Sequence, residues 1–313
     1  MQRRMKILVL GSAAMDLYLN TCKLPEPGQS MRDDGGAVYT PGGRGAAVAV
    51  AIARLGEEVT FCTKLGADMH GQKLYNYYKD SGIDTSYIKV DHDKPTGLAV
   101  MIREGEGDPR EIIYSGASAQ ITTEAITEAF GCSPDALFIS LELPFATVLT
   151  AAKIAASRAI PIFVEATSPD PTAELENLPQ VEVLMVNEKQ AKEYTDITPS
   201  GMEASLRAAL ALGRKIKSHS IVIKLGARGA FIYDGKRYTT SPVIRAGKTV
   251  DESGAGCAFA AALITEYLYN GGEIKGAVKY GCAAGAIAVT RPGGAVSAPT
   301  AMEIEDLLAE QKP

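Results

Sequence analysis

The stretch Asp251-Glu252-Ser253-Gly254-Ala255-Gly256-Cys257-Ala258-Phe259 decides the fold of this 313-residue chain. Two glycines flank Ala255 just before an alanine-rich run, 254–270, that reads as a long helix. Backbone N–H groups of Gly254, Ala255 and Gly256 would then stand unpaired at a positive helix end. They would form a hole for a phosphoryl group carrying charge in flight. The plain alternative is an ordinary helix start with Ser253 as its cap.

Working outward, the rest of the chain supplies a body for such a helix. Residues 5–10 (MKILVL) form a continuous apolar run, as expected of a strand buried on both faces. Similar runs recur at 59–65, 136–141, 160–165, 183–187 and 220–225. Helical stretches lie between them: 44–55, ended by Gly56, and 71–81, stopped at Gly82, are the clearest. That order predicts βαβ units, a parallel sheet, and ligands at the carboxyl ends of its strands. Residues 231–233 and 237–240 read as a hairpin across Asp234-Gly235, and 273–290 as a second long C-terminal helix. Two segments differ in character. Residues 17–40 are rich in proline and glycine, and 96–102 and 111–115 alternate around a charged turn at 104–110. Together they predict a small antiparallel sheet apart from the body.

Composition narrows the function. A 46% hydrophobic content supports a large core, and a net charge of −5 lacks the basic footprint of a nucleic-acid binder. No apolar run reaches the length of a membrane span. The opening MQRRMKILVLGSAAMD breaks too early to be a signal peptide and reads as a first strand. The five cysteines, Cys22, Cys62, Cys132, Cys257 and Cys282, include no CxxC pair and suggest a reducing, cytoplasmic setting. A dinucleotide-dependent oxidoreductase is disfavoured, because the turn after the first strand lacks GxGxxG. Further glycine clusters stand at 42–45, before a helix, and at 293–294, after the last long one. Asp16 follows the first strand in a Gly-Ser turn, and Glu142 ends an apolar strand before Pro144, so both read as site residues. His70, His92 and His219 read as surface residues.

The order of these elements resembles the PfkB/ribokinase family over nearly the whole length. The resemblance rests on Gly11-Ser12-Ala13-Ala14-Met15-Asp16, Gly42-Gly43-Arg44-Gly45-Ala46-Ala47, Gly66-Ala67-Asp68-Met69-His70-Gly71, Leu141-Glu142-Leu143-Pro144, Asn187-Glu188, Leu225-Gly226-Ala227-Arg228-Gly229 and the stretch 251–259. It implies a ribokinase-like α/β fold of three αβα layers with a mainly parallel sheet and a small antiparallel β lid. One kinase domain would span 1–313, with lid segments 17–40 and 96–115. It implies transfer of the γ-phosphoryl of ATP to a hydroxymethyl group of a ribose-like sugar or nucleoside, with Mg2+ and K+. A homodimer through exposed lid edges is expected, and neither nucleic acid nor membrane is a partner.

By the same resemblance, Asp16, Gly42, Gly43, Arg44, Ala47 and Glu142 would form the sugar side. Asn187, Lys224, Gly226, Gly229, Ala283 and Ala284 would border the nucleotide. Gly254, Ala255 and Gly256 would form the anion hole, and Asp251, Ser253, Gly294 and Ser297 a monovalent-cation loop behind it. The chain departs from the family pattern inside this site. Cys257 stands where the family has its catalytic Asp, and Gln190 where it has a carboxylate that helps organise magnesium. Ala47 and Ala14 replace polar residues. A thiol at a helix N-terminus is open to a lowered pKa, whereas phosphates nearby would oppose that. The alternative to a weak kinase is a catalytically degenerate pseudokinase that binds sugar and nucleotide as a regulator.

Overall fold

A computed structural model describes residues 3–32, 35–105, 110–167, 170 and 173–311. The turn expected at 104–110 lies mostly outside the described residues, as do positions 33 and 34 of the first lid segment.

In chain order the strands and helices are β1 Lys6–Leu10, β2 Ala14–Thr21, β3 Ala37–Gly42, α1 Arg44–Arg54, β4 Glu58–Gly66, α2 Met69–Asp80, β5 Ile88–Asp91, β6 Gly97–Glu104, β7 Arg110–Tyr114, α3 Thr123–Ala129, β8 Ala136–Ser140 and α4 Phe145–Ser157. There follow β9 Ile162–Glu165, β10 Val181–Asn187, α5 Glu188–Thr195, α6 Met202–Lys215, β11 Ser218–Lys224, β12 Ala230–Tyr233, β13 Tyr238–Ser241, α7 Ala255–Tyr269, α8 Ile274–Ala288 and α9 Ala301–Glu310. Nine strands form one sheet in the order β13-β12-β11-β10-β9-β8-β1-β4-β5. Its pairs are parallel from β5 to β11, and only the two pairs that β12 makes, with β11 and β13, are antiparallel.

Alternation within these strands builds both flanking layers. In β1, Ile7 and Val9 face the cluster that holds α1, α7 and α8, while Leu8 and Leu10 face the one that holds α3, α4 and α6. A sheet covered on both faces needs apolar side chains on both, which is why its strands read as unbroken apolar runs. The carboxyl ends of β1, β8, β9, β10 and β11 therefore open at one rim of the body.

The lid is a four-stranded sheet in the order β3-β2-β6-β7. β2 pairs with β3 and β6 with β7 antiparallel, and the inner pair β2–β6 is parallel. Asp16 opposes Thr40 and Ala99, and Tyr18 opposes Val38 and Met101. Met101 in turn opposes Glu111 of β7, so Asp16, Tyr18 and Glu111 share one face. Asp68 anchors the lid to the body. It caps α2 by accepting from the Gly71 N–H (2.8 Å) and accepts from both the N–H (2.7 Å) and hydroxyl (2.8 Å) of Thr96, next to β6.

Between β12 and β13 the hairpin turns through residues 234–237. Asp234 accepts from the N–H groups of Lys236 and Arg237 and draws the loop round. β5 and α9 have no counterpart in the sequence reading. Both are short amphipathic pieces whose apolar positions are too few to stand out. His70 is not a free surface side chain: its ring stacks on Tyr39 of β3 with centroids 5.6 Å apart. No helix among the described residues is long and apolar enough to cross a membrane.

Candidate active site

The site grows from a close approach of two backbones. An ideal Cβ on Gly11 would lie 2.5 Å from the Gly45 Cα, so only glycine at both positions lets the start of α1 pack onto the turn after β1. Gly43 caps α1 at φ 89°, a left-handed value suited to glycine. The same approach brings in Glu142. Its Oε1 accepts from the Ser12 hydroxyl (2.7 Å), the Ser12 N–H (3.2 Å) and the Gly45 N–H (3.3 Å). Burial raises the Glu142 carboxyl above its usual range, an effect partly offset by these donors and by Arg44.

Asp16 lies against Gly42, whose missing side chain leaves the space that the Asp16 carboxyl occupies. Burial, with Glu111 and Glu142 adding repulsion, pushes this carboxyl up to about 7. Three acids thus share one side of the cleft. Arg44, at the start of α1, stands near enough to feel the charge of two of these acids. Desolvation works against its charge, and Glu165, Glu142 and Glu111 more than offset it.

The other side of the cleft is the start of α7. Gly254 caps it at φ 80°, and no side chain occupies the cap, so the Ser253 alternative is not realised. A Cβ on Gly254 would overlap the Gly294 carbonyl and come within 2.9 Å of the Ser297 Oγ. Those contacts fix the turn against the loop after α8. Asp251 completes the join by accepting from the N–H groups of Ser253 (2.9 Å) and Gly293 (2.9 Å). Burial works against ionisation of Asp251, but these donors and the charge of Arg103 outweigh it and hold the carboxyl below its usual range. Ser297 donates to the Gly294 carbonyl at 2.9 Å and reaches the Ser253 carbonyl at 3.5 Å. The donor set of Asp251, Ser253, Gly294 and Ser297 is all oxygen, which fits a hard monovalent cation. Burial raises the Tyr18 hydroxyl, and Asp16 and Asp251 add to the shift, which sets the lid beside this loop.

Cys257 lies in the first turn of α7, half-buried. Burial pushes its thiol up to about 12, with Glu165 adding to the shift and Arg44 and Lys224 opposing it. Burial outweighs the two cations, and the thiol stays neutral at ordinary pH. Beside it, an ideal Cβ on Gly256 would lie 3.3 Å from the Lys224 Nζ and 3.9 Å from the Glu165 Oε1. Lys224 and Glu165 form an ion pair at the ends of β11 and β9. The Lys224 ammonium also sits 5.8 Å from the centroid of the Phe259 ring.

The chain as a whole has known relatives. Residues 4–301 match the model of the pfkB family of carbohydrate kinases. The chain belongs to that family. It is 30% identical over 306 residues to the ribokinase of Bacillus subtilis, covering 97% of this chain and 99% of that one. It is 29% identical over 311 residues to the ribokinase of Haemophilus influenzae, covering 97% and 99%. The solved structure of Arabidopsis thaliana ribokinase complexed with ribose and ATP superposes with a TM-score of 0.85 at 23% identity, covering 98% of this chain and 99% of that one. The family is one of ATP-dependent sugar kinases, and the fold described above is the ribokinase fold.

Several expected site residues stand elsewhere than the family resemblance implies. Gln190 is buried, and its side-chain oxygen accepts from the Asn187 N–H (2.8 Å), while Asn187 Oδ1 accepts from the Gln190 N–H (2.8 Å). This reciprocal cap on α5 directs both side-chain oxygens at backbone N–H groups and holds Gln190 buried. No group of three or more His, Cys, Asp or Glu side chains among the described residues is arranged to hold a metal. Ala47, Ala283 and Ala284 are packed in the core with almost no exposed surface. On α8 the half-buried Cys282 is the more accessible neighbour. In the Gly226 turn, Gly226 and Gly229 both have positive φ, and Arg228 ties the turn to Glu188 at the start of α5.

Glu165, Glu111 and Tyr18 escaped the sequence reading. For Glu165 a signal existed: a carboxylate closing a buried parallel strand sits where such sheets place ligands. For Glu111 and Tyr18 none did, because their shared face depends on the register of β2, β6 and β7.

Proposed function

We propose that the chain transfers the γ-phosphoryl group of ATP to a hydroxymethyl group of a ribose-like sugar or nucleoside. The observation that carries this reading is the cleft itself: Asp16 and Glu142 line one side, and the uncapped start of α7 at Gly254–Gly256 forms the other. Carboxylates accept from sugar hydroxyls, two at a time if need be. Unpaired N–H groups at a glycine turn stabilise a phosphoryl group that carries charge in transit.

In the step, the sugar hydroxyl oxygen forms a bond to the γ-phosphorus. The bond from that phosphorus to the β–γ bridging oxygen breaks, ADP leaves with the electron pair, and the hydroxyl proton passes to water. Most of the catalysis then comes from positioning and charge stabilisation. Loss of a general base at position 257 lowers the rate by ~10²–10⁴-fold without abolishing it. A monovalent cation such as potassium would firm the Asp251–Ser297 loop. Magnesium would arrive on the nucleotide's phosphates, with no residue of this chain assigned to it. A reducing, cytoplasmic setting is supported by five cysteines without a disulfide. Dimerisation through the lid is supported by Val38, Tyr39, Ile112 and Tyr114, all exposed near its free edges.

The neutral thiol of Cys257 and the committed oxygen of Gln190 favour a second reading, a pseudokinase that binds sugar and nucleotide without turnover. A panel of pentoses, hexoses and nucleosides incubated with ATP separates the two. The kinase reading expects ADP and a phosphorylated product, identified by mass spectrometry, in equal amounts for at least one acceptor. Tight binding of sugar and ADP with no product would leave the regulator.

A further inference from the structure

Glu165 ends β9 with 1% of its surface exposed, and one of its carboxylate oxygens, Oε2, is buried without a hydrogen-bond partner. The other oxygen pairs with the Lys224 ammonium, itself 14% exposed. Burying a carboxylate is costly, and a single ion pair with one oxygen left bare does not make it a stabilising element. Its surroundings suggest what it is kept for. Its ion-pair partner, the Lys224 ammonium, comes from the end of β11. That ammonium borders Gly256, whose ideal Cβ lies 3.3 Å from the Lys224 Nζ and 3.9 Å from the Glu165 Oε1.

We propose that Glu165 is a positioning residue, an anionic anchor that holds the Lys224 ammonium beside the Gly254–Gly256 turn as a clamp for the terminal phosphoryl group of ATP. The inference rests on the kinase reading and extends it by assigning the side-chain cation of the anion hole and the residue that orders it. Backbone N–H groups and a helix end supply only partial charge. A full cation held in place adds a charge-assisted bond to the phosphoryl oxygens. The clamp acts on the third phosphate, so its signature is a difference between two nucleotides rather than the affinity for either.

The test is calorimetric titration of the full chain with ADP and with the non-hydrolysable ATP analogue AMP-PNP, both with magnesium. The wild type is expected to bind AMP-PNP more tightly than ADP. Glu165→Gln should lower that preference by about tenfold, the scale of one charge-assisted bond, while ADP affinity changes little. Glu165→Asp keeps the charge and the fold but draws the carboxylate back by one methylene, and it should restore part of the preference. A folded Glu165→Gln protein that keeps the full preference overturns the clamp. If that variant does not fold, Glu165→Asp decides alone, and an unchanged preference there overturns the clamp equally. A wild type that binds ADP but gains nothing from the third phosphate also overturns the clamp and leaves the kinase reading standing. A wild type that binds neither nucleotide overturns both.

Discussion

Asp16→Asn should make the unliganded protein more stable while emptying the site of its sugar. The carboxyl of Asp16 titrates at about 7 against an ordinary 3.8, chiefly because it is buried against Gly42, with Glu111 and Glu142 adding repulsion. At ~1.4 kcal/mol per pH unit, that gap corresponds to about 4 kcal/mol of native-state cost once the group is ionised. The sign follows from linkage. A carboxyl raised in the folded state costs nothing below its unfolded value of 3.8 and its full amount above about 7. At about pH 5 the folded protein still holds the proton, and the cost is about 1–2 kcal/mol. A neutral asparagine removes the cost, so the stabilisation by Asp16→Asn should grow from about pH 5 to about pH 8. For a chain of this size about 4 kcal/mol raises Tm by several degrees. Thermal melts of both proteins across that range, without ligand, measure it directly. Sugar hydroxyls donate to the ionised form, so ribose affinity of the wild type should weaken as pH falls below about 7. A Tm difference that is absent, or that stays the same from about pH 5 to about pH 8, would refute the reasoning.

Other consequences are equally specific. Gly42→Ala places a Cβ on the Asp16 carboxyl; it should abolish ribose binding in calorimetry, spare ADP binding, and cost ~1–3 kcal/mol from overpacking. Gly254→Ala is opposed both by its φ of 80° and by the Gly294 carbonyl. It should lower stability by ~1–3 kcal/mol and weaken ADP binding, because the turn and the cation loop separate. Cys257→Asp should raise sugar phosphorylation by up to ~10²–10⁴-fold, and Cys257→Ala should leave the wild-type rate nearly unchanged, both read by coupled ADP release. Loss of a robust rate in Cys257→Ala would make the thiol a working catalyst.

Much of the fold was legible because parallel strands buried on both faces cannot hide. The runs at 5–10, 136–141 and 183–187 became β1, β8 and β10 within one or two residues. Glycine motifs were equally plain, since Gly11, Gly43 and Gly254 each meet a backbone that no side chain would clear. Less legible was which polar atoms were already spent. Nothing in the spacing of Asn187 and Gln190 says whether they face a metal or cap each other, because a capping box and a ligand pair use the same separation. Ala283 and Ala284 read as an adenine wall, whereas the rotation of α8 turns them into the core and leaves Cys282 at the edge. The Glu165–Lys224 pair joins residues 59 apart in sequence across the carboxyl end of β10, which lies between β9 and β11, a juxtaposition that only strand order reveals.

The account's central claim is that sugar and triphosphate meet across one cleft, the first on Asp16 and Glu142 and the second at the start of α7. A crystal structure of the chain with ribose and AMP-PNP tests it most directly. The account predicts ribose hydroxyls within hydrogen-bond reach of the Asp16 and Glu142 carboxylates, and the terminal phosphoryl group on the N–H groups of Gly254–Gly256. Phosphates bound away from that turn, or ribose with neither acid in contact, would contradict it.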